Sequence, residues 1–227
     1  MSAQPAFNPE ILRLLAESSE WRFLGLLFEY PSAEWRTQVT ALLTDLHDAN
    51  LRAMAEAALD AATDGLHFAL FGPAGSVPVR EVTYQGGVQS GYLMAELAAY
   101  YDAFGYLPNT TEAADHLAVQ LGFMAYLRMK QALALVSDEP EHAAVTAEAT
   151  TTFLHRHIAT LAEPVAAKLE IFAPDYLIQA GALILHHAGP APRSSFPLGT
   201  PLAEDDDSCE MPCGPTPPGD DLIQLQP

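Results

Sequence analysis

An acid beside a histidine is the feature of this chain best suited to chemistry. It stands in Glu112-Ala113-Ala114-Asp115-His116-Leu117, which runs into Leu121-Gly122-Phe123-Met124-Ala125-Tyr126-Leu127. Asp115 offers a fixed acceptor and His116 a ring that titrates near neutrality. Placed at the entrance of a helix, the pair can grip a peptide, and Asp115 can take an arginine through charge-assisted hydrogen bonds. Asn109 and Glu112 stand three apart, as in a capping box, and predict that a long helix starts here and continues to about Val136. That helix is apolar on more than one side, so other helices or a partner must wrap it.

Other reactive groups are sparse. Cys209 and Cys213, with His186 and His187 upstream, are the one set with the residue types of a zinc site. Adjacent histidines on a helix point about 100° apart, and the intervening segment is long and proline-rich, so a metal- or cofactor-handling role is the minor alternative. His155 and His157 are two apart, do not share a helix face, and predict surface and half-buried polar positions. The chain has no Gly-x4-Gly-Lys-Ser/Thr loop and no Gly-x-Ser-x-Gly elbow. Gly86-Gly87 and Gly91 lack a surrounding βαβ unit. Neither an enzymatic reaction nor a bound cofactor is expected.

The charge balance narrows the partners. Against 29 acids stand 10 Lys and Arg, a formal net charge of −19. Phosphate backbones and anionic membrane surfaces need a basic face, so nucleic acid and membrane insertion are excluded as expectations. A field of this sign draws a basic partner. Only seven of the acids and one arginine follow Gly189, so the preceding part keeps 22 acids against nine bases. No signal-peptide pattern opens the sequence and no apolar run reaches about 18 residues, which predicts a cytoplasmic protein. Its hydrophobic fraction of 49% with 17% charged residues is that of a chain with a substantial core.

The elements that must position these groups read as helices. Asn8, Pro9 and Glu10 suit a helix start, and the apolar spacing continues through Leu12, Leu15, Trp21, Leu24 and Phe28 to Pro31. Ser32 caps a second helix with Trp35, Val39, Leu42 and Leu46. An alanine-rich third covers Leu51 to Ala62. Residues 72–91 are broken by Gly72, Pro73, Gly75, Pro78, Gly86, Gly87 and Gly91 and predict a long loop between two helical halves; such loops are usually functional. Helices resume at Ser90, at Asn109–Glu112, at Asp138–Glu141, at Pro164 and at Pro174, the last ending near His187. Of the tyrosines Tyr84, Tyr92, Tyr100, Tyr101 and Tyr126, two or three are expected to face a groove, apolar wall and polar edge together. From residue 189 to 227 there are nine prolines and an acidic run, Glu204-Asp205-Asp206-Asp207, which predicts a disordered tail carrying Cys209 and Cys213. The fold class is all-α: a single multi-helix domain over residues 1–188.

The order of these signals resembles the TorD/DmsD/NarJ-like redox-enzyme maturation chaperones. The resemblance rests on Trp21-Arg22-Phe23-Leu24-Gly25-Leu26-Leu27-Phe28-Glu29-Tyr30-Pro31, on the stretch from Phe71-Gly72-Pro73 to Tyr84, and on Leu97-x2-Tyr100-Tyr101. It continues in Glu112-x2-Asp115-His116-Leu117 and in Phe153-Leu154-x2-His157-Ile158, and so covers about residues 10–187. It implies a TorD-like helical bundle; the 72–91 loop that joins the two halves leaves a monomer or a domain-swapped dimer open. It also implies a chaperone for a molybdenum-cofactor oxidoreductase of the dimethyl-sulfoxide-reductase type. The partner would be the catalytic-subunit precursor, held by its twin-arginine signal peptide, its apo-protein body, or both, until the cofactor is inserted. A NarJ-like factor that binds only the mature apo-enzyme is the alternative. The binding region would include Gly72, Pro73, Tyr84, Tyr100, Asp115, His116 and Phe123.

Overall fold

Helix caps set the frame. A computed structural model describes residues 8–85 and 90–190, and among them nine α-helices account for the regular structure. Asn8 accepts the amide of Glu10 and starts α1 (Pro9–Leu26) with proline at its first position. Ser32, Asp48 and Thr63 cap α2 (Ala33–Leu42), α3 (Ala49–Ala61) and α4 (Asp64–Phe71) in the same way. Residues 72–85 form turns, with one 3-10 turn at Glu81–Thr83. Then follow α5 (Ser90–Phe104), α6 (Leu117–Val136), α7 (Pro140–Phe153), a π turn at Leu154–Ile158, α8 (Ala159–Phe172) and α9 (Asp175–Ala188). The all-α class holds, and no described helix is long and apolar enough to cross a membrane.

The apolar helix α6 is the axis of the core. From Leu117 to Leu127 only Tyr126 escapes full burial. α1 lies along it, close enough that a Cβ on Gly25 would come within 3.3 Å of the Ala118 carbonyl oxygen. α7 covers another side, and α9 packs on α8 and α3. The first half of α6, Leu117 to Leu127, is therefore wrapped by the protein's own helices, while Met129, Leu133 and Val136 farther along it stay exposed. Described core residues belong to one unit, Met1–Pro192. The expected disordered tail, with Cys209 and Cys213, lies outside the described residues.

Three helix starts differ from the sequence expectation. The long helix begins at Leu117, not at Asn109–Glu112: the Glu112 amide donates to Thr110 Oγ1, and His116 is the residue that caps α6. The stretch before it is pinned in non-helical form, because Leu117 N donates to Val79 O and Tyr101 Oη to Ala114 O, both at 2.8 Å. Asp138 ends α6 in the left-handed region at φ 58°, and α7 starts two residues later at Pro140. Pro164 lies inside α8 instead of opening a helix. Its missing N–H removes a helical bond, but Leu161, Val165 and Leu169 beside it are buried in the core and hold the helix through.

Candidate peptide-binding groove

The turns after α4 fold back on that helix because two glycines permit it. A Cβ at Gly72 would stand 2.6 Å from the Phe68 carbonyl oxygen, and one at Gly75 would collide with that of Leu70. Without side chains there, Ser76 N reaches Ala69 O and Val77 N reaches Leu70 O. Between them Ala74 is held at φ 63°, a left-handed conformation costly for a residue with a Cβ.

The chain then runs antiparallel to the entrance of α6. Arg80 and His116 form an isolated β-bridge, flanked by Glu81 N to Asp115 O at 3.0 Å and Leu117 N to Val79 O at 2.8 Å. Asp115 is fully buried. Its Oδ1 accepts from Arg80 Nε at 2.8 Å and Nη2 at 2.6 Å, and its Oδ2 accepts from Val82 N at 3.2 Å. The partner of this carboxylate is thus the protein's own arginine. His116, 5% exposed, accepts the Ala118 amide at Nδ1, so its hydrogen is on Nε2, which faces Glu112 Oε2 at 3.9 Å. Burial is the main cause that pushes its pKa down, to about 4, against the opposing pull of Asp115. Burial likewise lowers His67, countered by Glu112 and Asp64.

Outside this bridge lies a groove of about 470 Å³ between α4 and the entrance of α6. Phe68, Phe71 and Pro73 make its apolar side; Arg80, Glu112 and His116 make its polar side. Phe68 is 57% exposed. A second recess of about 250 Å³ is lined by Glu34, Glu112, Asn109 and Thr110. Glu112 lines both, so an acidic recess and an apolar groove meet at one carboxylate.

Of the residues singled out in the sequence, Gly72, Pro73 and His116 line the groove, and Asp115 lies buried beneath it. Tyr84 is half-buried and donates to Pro78 O at 2.7 Å, bracing the loop. Phe123 and Tyr100 are elsewhere: Phe123 is fully buried, 4.8 Å from the Phe153 ring and 4.9 Å from Tyr101. Tyr100 packs edge-on against Phe153 and His157. Tyr101 is also core, its hydroxyl pKa raised by burial. His67, Phe68, Arg80 and Glu81 were not singled out. The His67-Phe68-x2-Phe71-Gly72-Pro73 run, aromatic at helical spacing before a break, is the signal that marks the first two.

Among the described residues no group of three or more His, Cys, Asp or Glu could hold a metal ion. His187 bonds Glu20 at 2.7 Å and packs against Trp21. A family model described as nitrate reductase delta subunit matches residues 31–167. That span includes both walls of the groove, the Arg80–Asp115 pair and His157. Comparison with curated proteins and with solved structures finds no match.

Proposed function

The chain belongs to the nitrate reductase delta subunit family, and on that footing we propose that it captures an N-terminal segment of a molybdoenzyme precursor in the groove between α4 and α6. The family's members are chaperones of molybdoenzyme maturation. The finer proposal is that the captured segment is a twin-arginine signal peptide, cationic first and apolar after. One observation carries it: Glu112 joins an acidic recess to an apolar groove, the charge and polarity order such a segment requires.

The groove residues divide the work. Phe68, Phe71 and Pro73 take the apolar side chains, and Phe68 gains most because it starts exposed. Glu34 and Glu112 attract guanidinium groups. His67 and His116, both shifted toward the neutral form by burial, add no opposing charge. Asp115 contributes by holding Arg80, not by meeting the client. The protein performs no reaction of its own; it holds the precursor in the cytoplasm until the molybdenum cofactor is inserted.

A second reading is binding to the mature apo-enzyme alone; the family description, nitrate reductase delta subunit, names an enzyme and no leader. Co-expression of the protein with a tagged catalytic subunit, with and without its leader, tests both. Retention that requires the leader supports the groove proposal. Equal retention without the leader supports the second reading and removes the first.

A further inference from the structure

Arg80 and Glu81 are consecutive and face opposite ways. Arg80 turns outward to Asp115 under the groove, while the Glu81 carboxylate enters the core and is fully buried. Among the described residues no Lys or Arg meets it. It accepts from Gln120 Nε2 on α6, from Gln85 Nε2, and stands 3.1 Å through both oxygens from His157 Nδ1. Carboxylate oxygens only accept, so the hydrogen on this contact is on Nδ1.

His157 is 1% exposed and belongs to the π turn between α7 and α8. The extra residue in that turn is a local departure of a kind frequent at functional sites. Its ring is wedged by Phe153 at 4.7 Å and Tyr100 at 5.6 Å. Its Nε2 has no hydrogen-bond partner among the described residues and faces Glu96 Oε1 of α5 at 3.8 Å, a carboxylate already held by Arg156. The imidazole therefore touches the loop, α5 and its own turn, and through Glu81 it connects to Gln120 of α6.

We infer that His157 is the positioning residue of the groove: through Glu81 it fixes Val79–Val82, and with that segment the Arg80–Asp115 pair and the His116 cap. It lies outside the groove and touches no client. The consequence for binding rests on the proposed function; the positioning itself does not. Losing the Nδ1 donor leaves a buried carboxylate short of a partner, which the loop relieves by moving away from the core. The groove wall formed by Pro78, Val79 and Arg80 moves with it.

The test uses the full chain and a synthetic peptide with two arginines followed by an apolar segment. His157→Leu removes the donor, and His157→Asn places an amide N–H where Nδ1 was. Two backbone amides report position independently of binding: Val82 N, bonded to Asp115, and Ala118 N, bonded to His116. The expected result is that His157→Leu keeps its helical circular dichroism, shifts both amide resonances and weakens the peptide about tenfold. His157→Asn restores both. Should His157→Leu fail to fold, His157→Phe carries the same comparison, since it keeps a planar ring and lacks the Nδ1 donor. Unmoved Val82 and Ala118 resonances in the folded variant overturn the inference, whatever the affinity. A wild-type protein that ignores the peptide counts against the proposed function alone, and the amide shifts then decide the positioning role.

Discussion

Arg80 reaches across 35 residues of chain to place Nε and Nη2 on one oxygen of Asp115, a carboxylate with no exposure at all, while its own side chain stays 46% exposed. The asymmetry fixes the outcome of substitution. Arg80→Ala strands a buried charge, a loss of about 3–5 kcal/mol for a fully buried pair, reduced here to about 2–3 kcal/mol because water reaches the arginine. Asp115→Asn leaves Arg80 free to solvent and keeps an acceptor for Val82, so it is the milder change. Urea unfolding of the two variants checks the order. The double change Asp115→Ala with His116→Ala removes the pair and the helix cap together, and is expected to lower stability before it says anything about binding.

His116 sets a pH dependence. Its folded pKa of about 4 lies below the ordinary histidine value of 6.5, so the unfolded chain binds the proton first. The stability is whole above about pH 6.5 and falls as pH drops toward 4, by about 3 kcal/mol in all. Below that both states are protonated and the loss stops. Protonation at Nδ1 also ends the bond from Ala118 N. His116→Asn keeps a capping side chain and does not titrate, so its stability falls less over that interval. Denaturant melts at a series of pH values compare the two.

The loop beside α4 carries strain at Ala74, whose φ is 63°. Ala74→Gly relieves it and raises stability by about 1 kcal/mol, net of the entropy that glycine adds to the unfolded chain. Gly75→Ala has the opposite sign, because its Cβ meets the backbone of Leu70. Thermal unfolding of the two variants is expected to bracket the wild type.

Phe68 separates binding from folding. At 57% exposure it supports little of the core, so Phe68→Ser leaves unfolding within about 0.5 kcal/mol of wild type. Capture of a precursor peptide weakens about tenfold or more, since a large apolar contact in the groove is gone. Calorimetric titration beside a melt shows whether the two effects part.

The helical class was legible because its local signals are strong: Asn8, Pro9 and Ser32 cap as their types dictate, and α6 is apolar enough that it had to be wrapped. The start of α6 was not, since Asn109 and Glu112 carry the right spacing but Val79, Arg80 and Tyr101 hold the backbone away from helix. Those restraints come from residues as far off as Val79, whose carbonyl holds Leu117 N, which periodicity does not see. The same holds for Asp115: its type and its neighbour singled it out, but only the fold reveals that Arg80 takes the carboxylate. Phe123 and Tyr100 share apolar, aromatic character with a groove wall, and nothing local distinguishes that from a core. Pro164 read as a helix start because a proline's backbone preference is visible in sequence, whereas the buried face of Leu161, Val165 and Leu169 that overrides it is tertiary.

The most direct measurement is a charge-swap titration at Glu112, the carboxylate shared by recess and groove. Wild type and Glu112→Lys are each titrated with a precursor peptide bearing its two arginines and with the same peptide carrying glutamates there. Wild type is predicted to prefer the arginine peptide, with an affinity that falls as salt rises, and Glu112→Lys to lose about tenfold for it while gaining for the glutamate peptide. Equal affinity of both proteins for both peptides, insensitive to salt, would contradict the account.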